Sequence, residues 1–469
     1  MIEALQAENA RLADRVALLE AELAKDSSTS SKPPSADPIA TRKKRAERRA
    51  DARAAAKRAQ GKQPGAPGSN LARRSPDLTV SHDPPRCRCC QADLSGAPVV
   101  AEIVRQVIDL PPTVPVVVDH VSYRRRCECG VETDGDFPPE AKAPVCWGPE
   151  VRALALYLLD RQHLPLERCA ELLADVLGAP VSTGWLCGLR AEAAGRLAPF
   201  IAEVKTRLAA APVVCADETA TRVGTTRHWV HTVTTGLLTL LAVHPKRGVE
   251  AMRDIGVLDA YNGVIVHDGL SAYEVFDNAA HAQCGAHLLR HLDDVAQTVA
   301  FELWARQAAG ILLRARDAAI NAADAGMTAV PQPVAQSIRA DYHATLDVAF
   351  ALLPDGTPPR RAHTGGWNHA QRKAFNLATR LRTDADQVLR LLDNTNVPFT
   401  NNNAERALRM VKLHDKISGC FHSADSAGHF ATVRSYLQTA NAHDHNPLDA
   451  LRQLFTTGPW LPPPQPRMT

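Results

Sequence analysis

Two short apolar runs in the middle of the chain each end in an acid: "VVCADET" carries Asp217 and "GVIVHDG" carries Asp268. Runs this short and this free of polar residues form strands covered on both faces, so they sit inside a sheet rather than at its edge. A carboxylate at the end of such a strand stands where the core stops. Between the two runs, "HWVHTVTTG" and "LLTLLAVHP" read as further strands, and residues 247 to 258 read as helix.

Strand, strand, strand, helix, strand, with acids closing the first and fourth strands, matches a ribonuclease-H-like layout. There the first and fourth strands are neighbours, so Asp217 and Asp268 are expected side by side. Two buried carboxylates that close repel unless a cation lies between them. Mg2+ (or Mn2+) suits them, as a hard ion held by a few carboxylates plus substrate phosphate. A third acid from an adjoining helix would complete a two-metal site for phosphodiester chemistry.

Glu405, in "VPFTNNNAERALRMVK", is the candidate. A carboxylate at the head of a helix also stabilises the helix by capping and dipole effects. The two aspartates upstream favour the site reading. Glu218 adjoins Asp217, but strand alternation turns it to the other face, which makes it the second choice. Cys284 and His287, in "QCGAHLLRHL", fall where a fifth strand meets a helix. Packing or an internal hydrogen bond is the default for them, and contact with DNA or with the site is the sharper option. Residues 299–395 read as an all-helical insertion separating Asp268 from Glu405.

The N-terminal part is organised differently. Ile2, Asn9, Val16 and Leu23 share one heptad position, and Leu5, Leu12 and Leu19 the other. The pattern is that of a coiled coil that would make a homo-oligomer, or of one amphipathic helix on its own domain. "DSSTSSKPPSADP" reads as a linker. A basic arm follows, with Arg42, Lys43, Lys44, Arg45, Arg48 and Arg49 against Glu47 and Asp51. Its charge density suits nucleic-acid phosphates without base reading. Cys87 and Cys90, then Cys127 and Cys129, form two knuckles around a strand-like stretch, as in a zinc ribbon with structural Zn2+; buried thiols are the other reading. Further on, two helices broken at Gly178, the second capped by Ser182 or Thr183, have helix-turn-helix spacing, which DNA reading and the plain packing of two short helices explain equally well.

The net charge of +3 is too mild to name a partner. No apolar run is long enough to span a bilayer, and the charged N-terminus is no signal peptide, so a cytoplasmic protein with no membrane partner is expected. Eleven cysteines in a reducing compartment then point to metal ligands or buried small residues.

These features together resemble the insertion-sequence-66 transposases of bacteria over nearly the whole chain. Carrying the resemblance are the zipper, "SSKPPS", the basic stretch ending "GKQPGAPG" and the cysteine knuckles. "VVCADET", "VIVHDG", "QCGAHLLR", "NNNAERALRMVK", "KISGCF" and "RSYLQTA" complete it. The resemblance implies a DDE transposase in which Asp217, Asp268 and Glu405 match the metal-binding triad. It implies hydrolysis that frees the element's 3′ ends, then attack of the 3′ hydroxyl on target DNA. The partners implied are terminal inverted repeats, target DNA and small accessory proteins of the same element, with the chain nucleoid-associated when bound. Arg406 would contact phosphate or orient Glu405, and Asn402 would hydrogen-bond near the metals. The chain departs from many relatives at Thr400, where they carry aspartate, and at its C-x-C knuckle, where they show C-x-x-C.

The expected architecture is a multidomain α/β protein. A zipper helix (1–25), a linker and basic arm (26–75), a zinc-ribbon-like DNA-binding domain (76–146) and a helix-turn-helix-like region (147–205) come first. The ribonuclease-H-like mixed-sheet core follows in two parts (206–298 and 396–456) around the helical insertion (299–395), with a Pro-rich tail (457–469). The competing reading is a catalytically inactive or repurposed DNA-binding protein that occupies element ends. A ribonuclease fits the core but explains neither the zipper, the basic arm nor the knuckles.

Overall fold

The computed structural model describes residues 72–110, 114–138, 140–354, 356 and 367–464. The zipper and the basic residues Arg42, Lys43, Lys44, Arg45, Arg48 and Arg49 lie outside the described residues. The chain divides into two compact units, residues 1–113 and 114–469. Cys87 and Cys90 belong to the first and Cys127 and Cys129 to the second.

In the first unit the chain turns tightly at Cys87: its N–H donates to Ala92 O at 2.9 Å, and Gln91 N–H donates back to Cys87 O at 3.0 Å. In the second, strands β1 (Arg124–Arg126) and β2 (Glu132–Asp134) form an antiparallel hairpin. Its turn holds Cys127, and Gly130 closes it at φ +87°, a conformation glycine adopts without strain.

The second unit is built on a five-stranded mixed sheet. Strands β3 (Val213–Val223), β4 (Thr226–Thr234), β5 (Thr239–His244), β6 (Val264–His267) and β7 (Ala280–Gln283) lie in the order β5-β4-β3-β6-β7. The first three pair antiparallel, while β6 runs parallel to β3 and β7 parallel to β6. The two acid-ended runs are therefore neighbours, in the register Cys215 opposite Val266. The helix expected over 247 to 258 is shorter, Val249–Asp254, because the chain turns at Gly256 with φ +71°.

Alternation along β3 sorts its side chains between two cores. Val214 and Ala216, with Ile265 of β6, face the first. Helices α1 (Pro149–Leu156), α2 (Leu166–Leu177), α3 (Thr183–Arg196) and α4 (Ala198–Ala209) line that core. Gly178 ends α2 in the left-handed conformation, and Ser182 Oγ accepts from Trp185 N–H to start α3. Cys215, Val264, Val266 and Ala282 face the second core. That side is covered, after the short helix α5 (Val249–Asp254), by α6 (Gly285–Val295), α7 (Val299–Asp324), α8 (Gln332–Ala351) and α9 (His369–Thr383). The described residues between 299 and 395 are mainly helical, and Pro331 introduces α8.

Helix α10 (Ala385–Val388) precedes α11 (Asn402–Ile417), which runs alongside β3 in the same direction. At its start Asn401 Nδ2 donates to Ala216 O at 2.8 Å; near its end Thr221 Oγ1 donates to Asp415 at 2.8 Å. Beyond it, Phe421 bridges to Val223 in parallel. Helices α12 (Ala424–Ala442) and α13 (Pro447–Thr456) return to the first core. Among the described residues no helix is long and apolar enough to cross a membrane.

The segment leading into α11 is locked to the start of α6, where Gly285 N–H donates to Phe399 O at 2.8 Å. A Cβ on Gly285 would collide with the Phe399 ring. Gly285→Ala should therefore cost about 1–3 kcal/mol by overpacking. Gly310→Ala, on an exposed turn of α7 with open space around it, should instead stabilise by about 0.5–1 kcal/mol. Urea denaturation of both variants checks this, and equal effects would sink the account of the lock.

Candidate active site

Continuing the parallel register one pair past His267 sets Asp217 against Asp268, just where β6 ends. Both are partly exposed. Their carboxylate oxygens and one of Glu218 lie within 4.8 Å of one another. Alternation does set Glu218 apart, since its side chain bonds to Tyr273 and Arg247 on the first-core side. The carboxyl groups converge all the same, because that of Asp217 folds back to accept from the Glu218 N–H at 2.8 Å. The second-choice acid thus belongs to the cluster.

Electrostatics penalise the arrangement. Burial raises Asp217 well above the usual carboxylate range, and the Glu218, Asp268 and Glu405 charges push it the same way. Burial also raises Glu218. Against this, Tyr273 donates to Glu218 Oε2 at 2.8 Å, and Arg247 Nε donates to Oε1 at 2.9 Å. The fully buried Tyr273 is itself driven well above the ordinary phenol range, so it remains a donor. Three carboxyl groups crowded with so little positive charge beside them have the donor chemistry to hold a hard cation.

Glu405 stands in the adjoining cluster. Its oxygen, Cys284 Sγ and a His287 nitrogen lie within 4.8 Å of one another, with His287 Nδ1 at 3.6 Å from Glu405 Oε1. That oxygen is buried and has no hydrogen-bond partner, so it caps nothing. The two clusters adjoin: Glu405 acts on Asp217, while burial lowers His287 and the charges of Glu405 and Asp268 oppose that shift. Cys284, fully buried, accepts from Asn401 N–H at 3.1 Å.

Of the first two asparagines at the start of α11, Asn401 turns inward and Asn402 outward. It is wholly buried and carries an unpartnered Oδ1, whereas Asn402 and Arg406 are exposed. In a run of three asparagines nothing local marks which one turns inward. The only signal is position: the N-cap residue stands next to the neighbouring strand, and Asn401 is that cap.

A third group, His267, Glu274 and His281, also has metal-ligand spacing. Its hydrogen bonds fix a different role. Gly269 N–H donates to His267 Nδ1 at 3.1 Å, so His267 Nε2–H faces His281 Nδ1 at 3.3 Å, and His281 Nε2–H donates to Phe276 O at 3.2 Å. Both imidazoles are thereby used up as neutral donors and acceptors beneath Asp268. Burial, with His281 beside it, holds His267 neutral, its pKa lowered to about 4.

Each cysteine knuckle has a sulfur prepared for the thiolate form. Backbone N–H groups of Cys90 and then Cys89 point at Cys87 and lower its pKa; the N–H of Cys129 does the same for Cys127.

The family described as "Transposase IS66 family" matches residues 144–429, which include Asp217, Asp268 and Glu405. The "zinc-finger binding domain of transposase IS66" matches residues 84–130, which include all four knuckle cysteines, so the chain has a zinc-finger domain. A family of unknown function matches residues 1–72. Among curated proteins nothing matches the chain.

The raised pKa of Asp217 makes a stability prediction. Its ionised form disfavours the metal-free fold, a penalty absent below the unfolded value of about 3.9 and growing as pH rises through the folded value. Asp217→Asn should raise the thermal midpoint in EDTA at pH 7.5, by something on the order of 1–2 °C. The gain should shrink towards zero near pH 4. A variant less stable than wild type at pH 7.5 would refute it.

Proposed function

Because the chain belongs to the IS66 transposase family, we propose that it is a divalent-metal-dependent DDE transposase with Asp217, Asp268 and Glu405 as its triad. The observation that carries this reading is the convergence of Asp217, midway along β3, with Asp268, just past the end of the parallel neighbour β6, while Glu405 stands in the adjoining cluster with one oxygen lacking a hydrogen-bond partner. The strand order β5-β4-β3-β6-β7, with its antiparallel and parallel halves, supports a ribonuclease-H-like core. The helices α7 to α10, within residues 299–395, are then the insertion within it.

The donor set fits a hard divalent ion, since the converging ligands are carboxylate oxygens and the site is electrostatically unpaired. Asp217, Asp268 and Glu405 would hold Mg2+ (or Mn2+), with Glu218 close behind. A pair of such ions, when bound, activates the attacking oxygen and stabilises the leaving oxygen of a phosphodiester.

The reaction is two displacements at phosphorus. At an element end, water oxygen bonds to phosphorus, the P–O3′ bond breaks, and the 3′ oxygen takes up a proton to leave a free 3′ hydroxyl and a 5′ phosphate. That hydroxyl then attacks a target phosphate, its proton is lost, and the broken P–O3′ bond leaves a new 3′ end on the target. Asp217 and Asp268 define where the phosphate sits. His287, whose pKa burial lowers, stands 3.6 Å from Glu405 Oε1, close enough to restrict where that carboxylate can turn. Asn401 ties the start of the Glu405 helix to the residue before Asp217. Arg406 and Asn402, both exposed at that helix start, face the DNA.

The zinc-finger domain and the transposase family support DNA binding. We assign the inverted repeats to the zinc-finger domain, whose knuckle cysteines would hold Zn2+, and to the α2–α3 pair. The basic arm would bind DNA phosphates, the zipper would pair copies of the chain, and accessory proteins of the element would join the assembly.

Strand cleavage on DNA bearing the element's own ends, with Mg2+ or Mn2+, tests the triad. Wild type should nick at the ends, while Asp217→Asn, Asp268→Asn and Glu405→Gln should each lose at least about a thousandfold. Tight end-binding without cleavage in either metal would mean a DNA-binding protein instead. Native mass spectrometry tests the ribbon: one zinc per chain is expected, and Cys90→Ser should lose it.

A further inference from the structure

Helix α9, from the insertion, carries Arg380 back to the sheet. One guanidinium nitrogen, Nη1, lies 3.3 Å from where a Cβ would stand on Gly269, the residue after Asp268. Gly269 has φ +90°, so a side chain there would be strained and would also press on the guanidinium. The other terminal nitrogen, Nη2, lies 3.0 Å from His291 Nδ1. Burial and Arg380 itself bring His291 down to about 4, so that ring is neutral and accepts the bond.

Arg380 is half-buried, yet among the described residues no carboxylate pairs with it within 4 Å, and its Nε has no partner. Burial lowers the Arg380 pKa, and Asp384 and then Asp268 offset this only from beyond ion-pair distance, so an anion brought against the guanidinium would be favoured. Beside it opens a cavity of about 260 Å³ lined by His291, Val295, Lys373, Asn376, Leu377 and Arg380. No acid lines this cavity. A cation aimed at one end of a carboxylate cluster, next to an acid-free recess, fits an anion lying between the two.

We propose that Arg380 is a substrate-contacting residue: its guanidinium binds a non-bridging oxygen of the DNA phosphodiester seated against Asp217 and Asp268. This rests on the strand-cleavage reading above. The insertion then does more than lengthen the chain, because it supplies the positive charge that the aspartates cannot. Arginine suits the task through its planar fork of donors, which a lysine does not reproduce.

The test uses the full-length chain and element-end DNA. Arg380→Gln should lower kcat about a hundredfold, as for loss of one preorganised donor. Arg380→Lys should recover part of that loss, and added guanidinium ion should partly rescue Arg380→Ala, which a merely structural residue would not allow. Arg382→Gln, two residues on and paired with Asp347 at the surface, should cleave as wild type. Binding in Ca2+ gives a readout independent of turnover. Arg380→Gln should bind ordinary ends about tenfold more weakly, and should show no deficit on ends whose scissile link is a neutral methylphosphonate.

Cleavage by Arg380→Gln within about threefold of wild type, with Asp217→Asn dead, overturns the proposal and leaves the triad standing. An equal binding deficit on charged and neutral ends overturns it too. Cleavage that survives Asp217→Asn overturns the triad instead.

Discussion

The parallel pairing of β3 with β6 is the constraint on which the rest depends. It brings two carboxylates to one place because Asp217, midway along β3, stands in register with Asp268, the residue that follows the end of β6. Burial of the strands contributes stability; convergence of the carboxylates opposes it, since Asp217 is pushed up by burial and by three neighbouring acids. The surroundings answer this in part. Arg247 and Tyr273 neutralise and bond Glu218, and the His267–His281 relay fills the space beneath Asp268 without adding charge. What stays uncompensated is the oxygen set facing outwards. A site that gives up stability at the point where chemistry is needed is a common pattern in enzymes.

Glu405 reaches this point by a different route. Its helix is fastened to β3 through Asn401 at one end and Phe421 past the other, and its approach is fixed by Cys284, Gly285 and Phe399. These contacts are short in space and long in sequence. They explain why a buried cysteine with an elevated pKa is useful here: burial raises Cys284, so it stays a neutral thiol that packs and accepts one N–H rather than a reactive thiolate.

What could be read without coordinates follows from range. Asp217 and Asp268 end apolar runs, and a run is a local pattern, so both acids and the neighbourhood of their strands were legible. Gly178 and Ser182 likewise announce a helix end and a helix start through their own backbone chemistry. The exclusion of Asn401 from first notice in favour of Asn402 has the opposite cause, since only the distant strand decides which asparagine turns inward. Glu218 was set aside by alternation, which holds for the Cβ direction but not for where a bent-back Asp217 carboxyl ends up. Arg380 lies in a helix whose own sequence gives no hint of the sheet, and its approach to Gly269 is visible only in three dimensions.

The lock between Gly285 and Phe399 has one more consequence. The chain leaves β7 at residue 285 and is fastened there again at 399 by a backbone hydrogen bond, with Arg380, Asp384 and Arg390 touching the sheet or its edge in between. Everything between is an excursion that begins and ends at one spot. The entropic cost of closing such an excursion grows only with the logarithm of its length. A change in the length of its outward-facing parts should therefore cost little, provided that the contacts Arg380, Asp384 and Arg390 make with the sheet are kept.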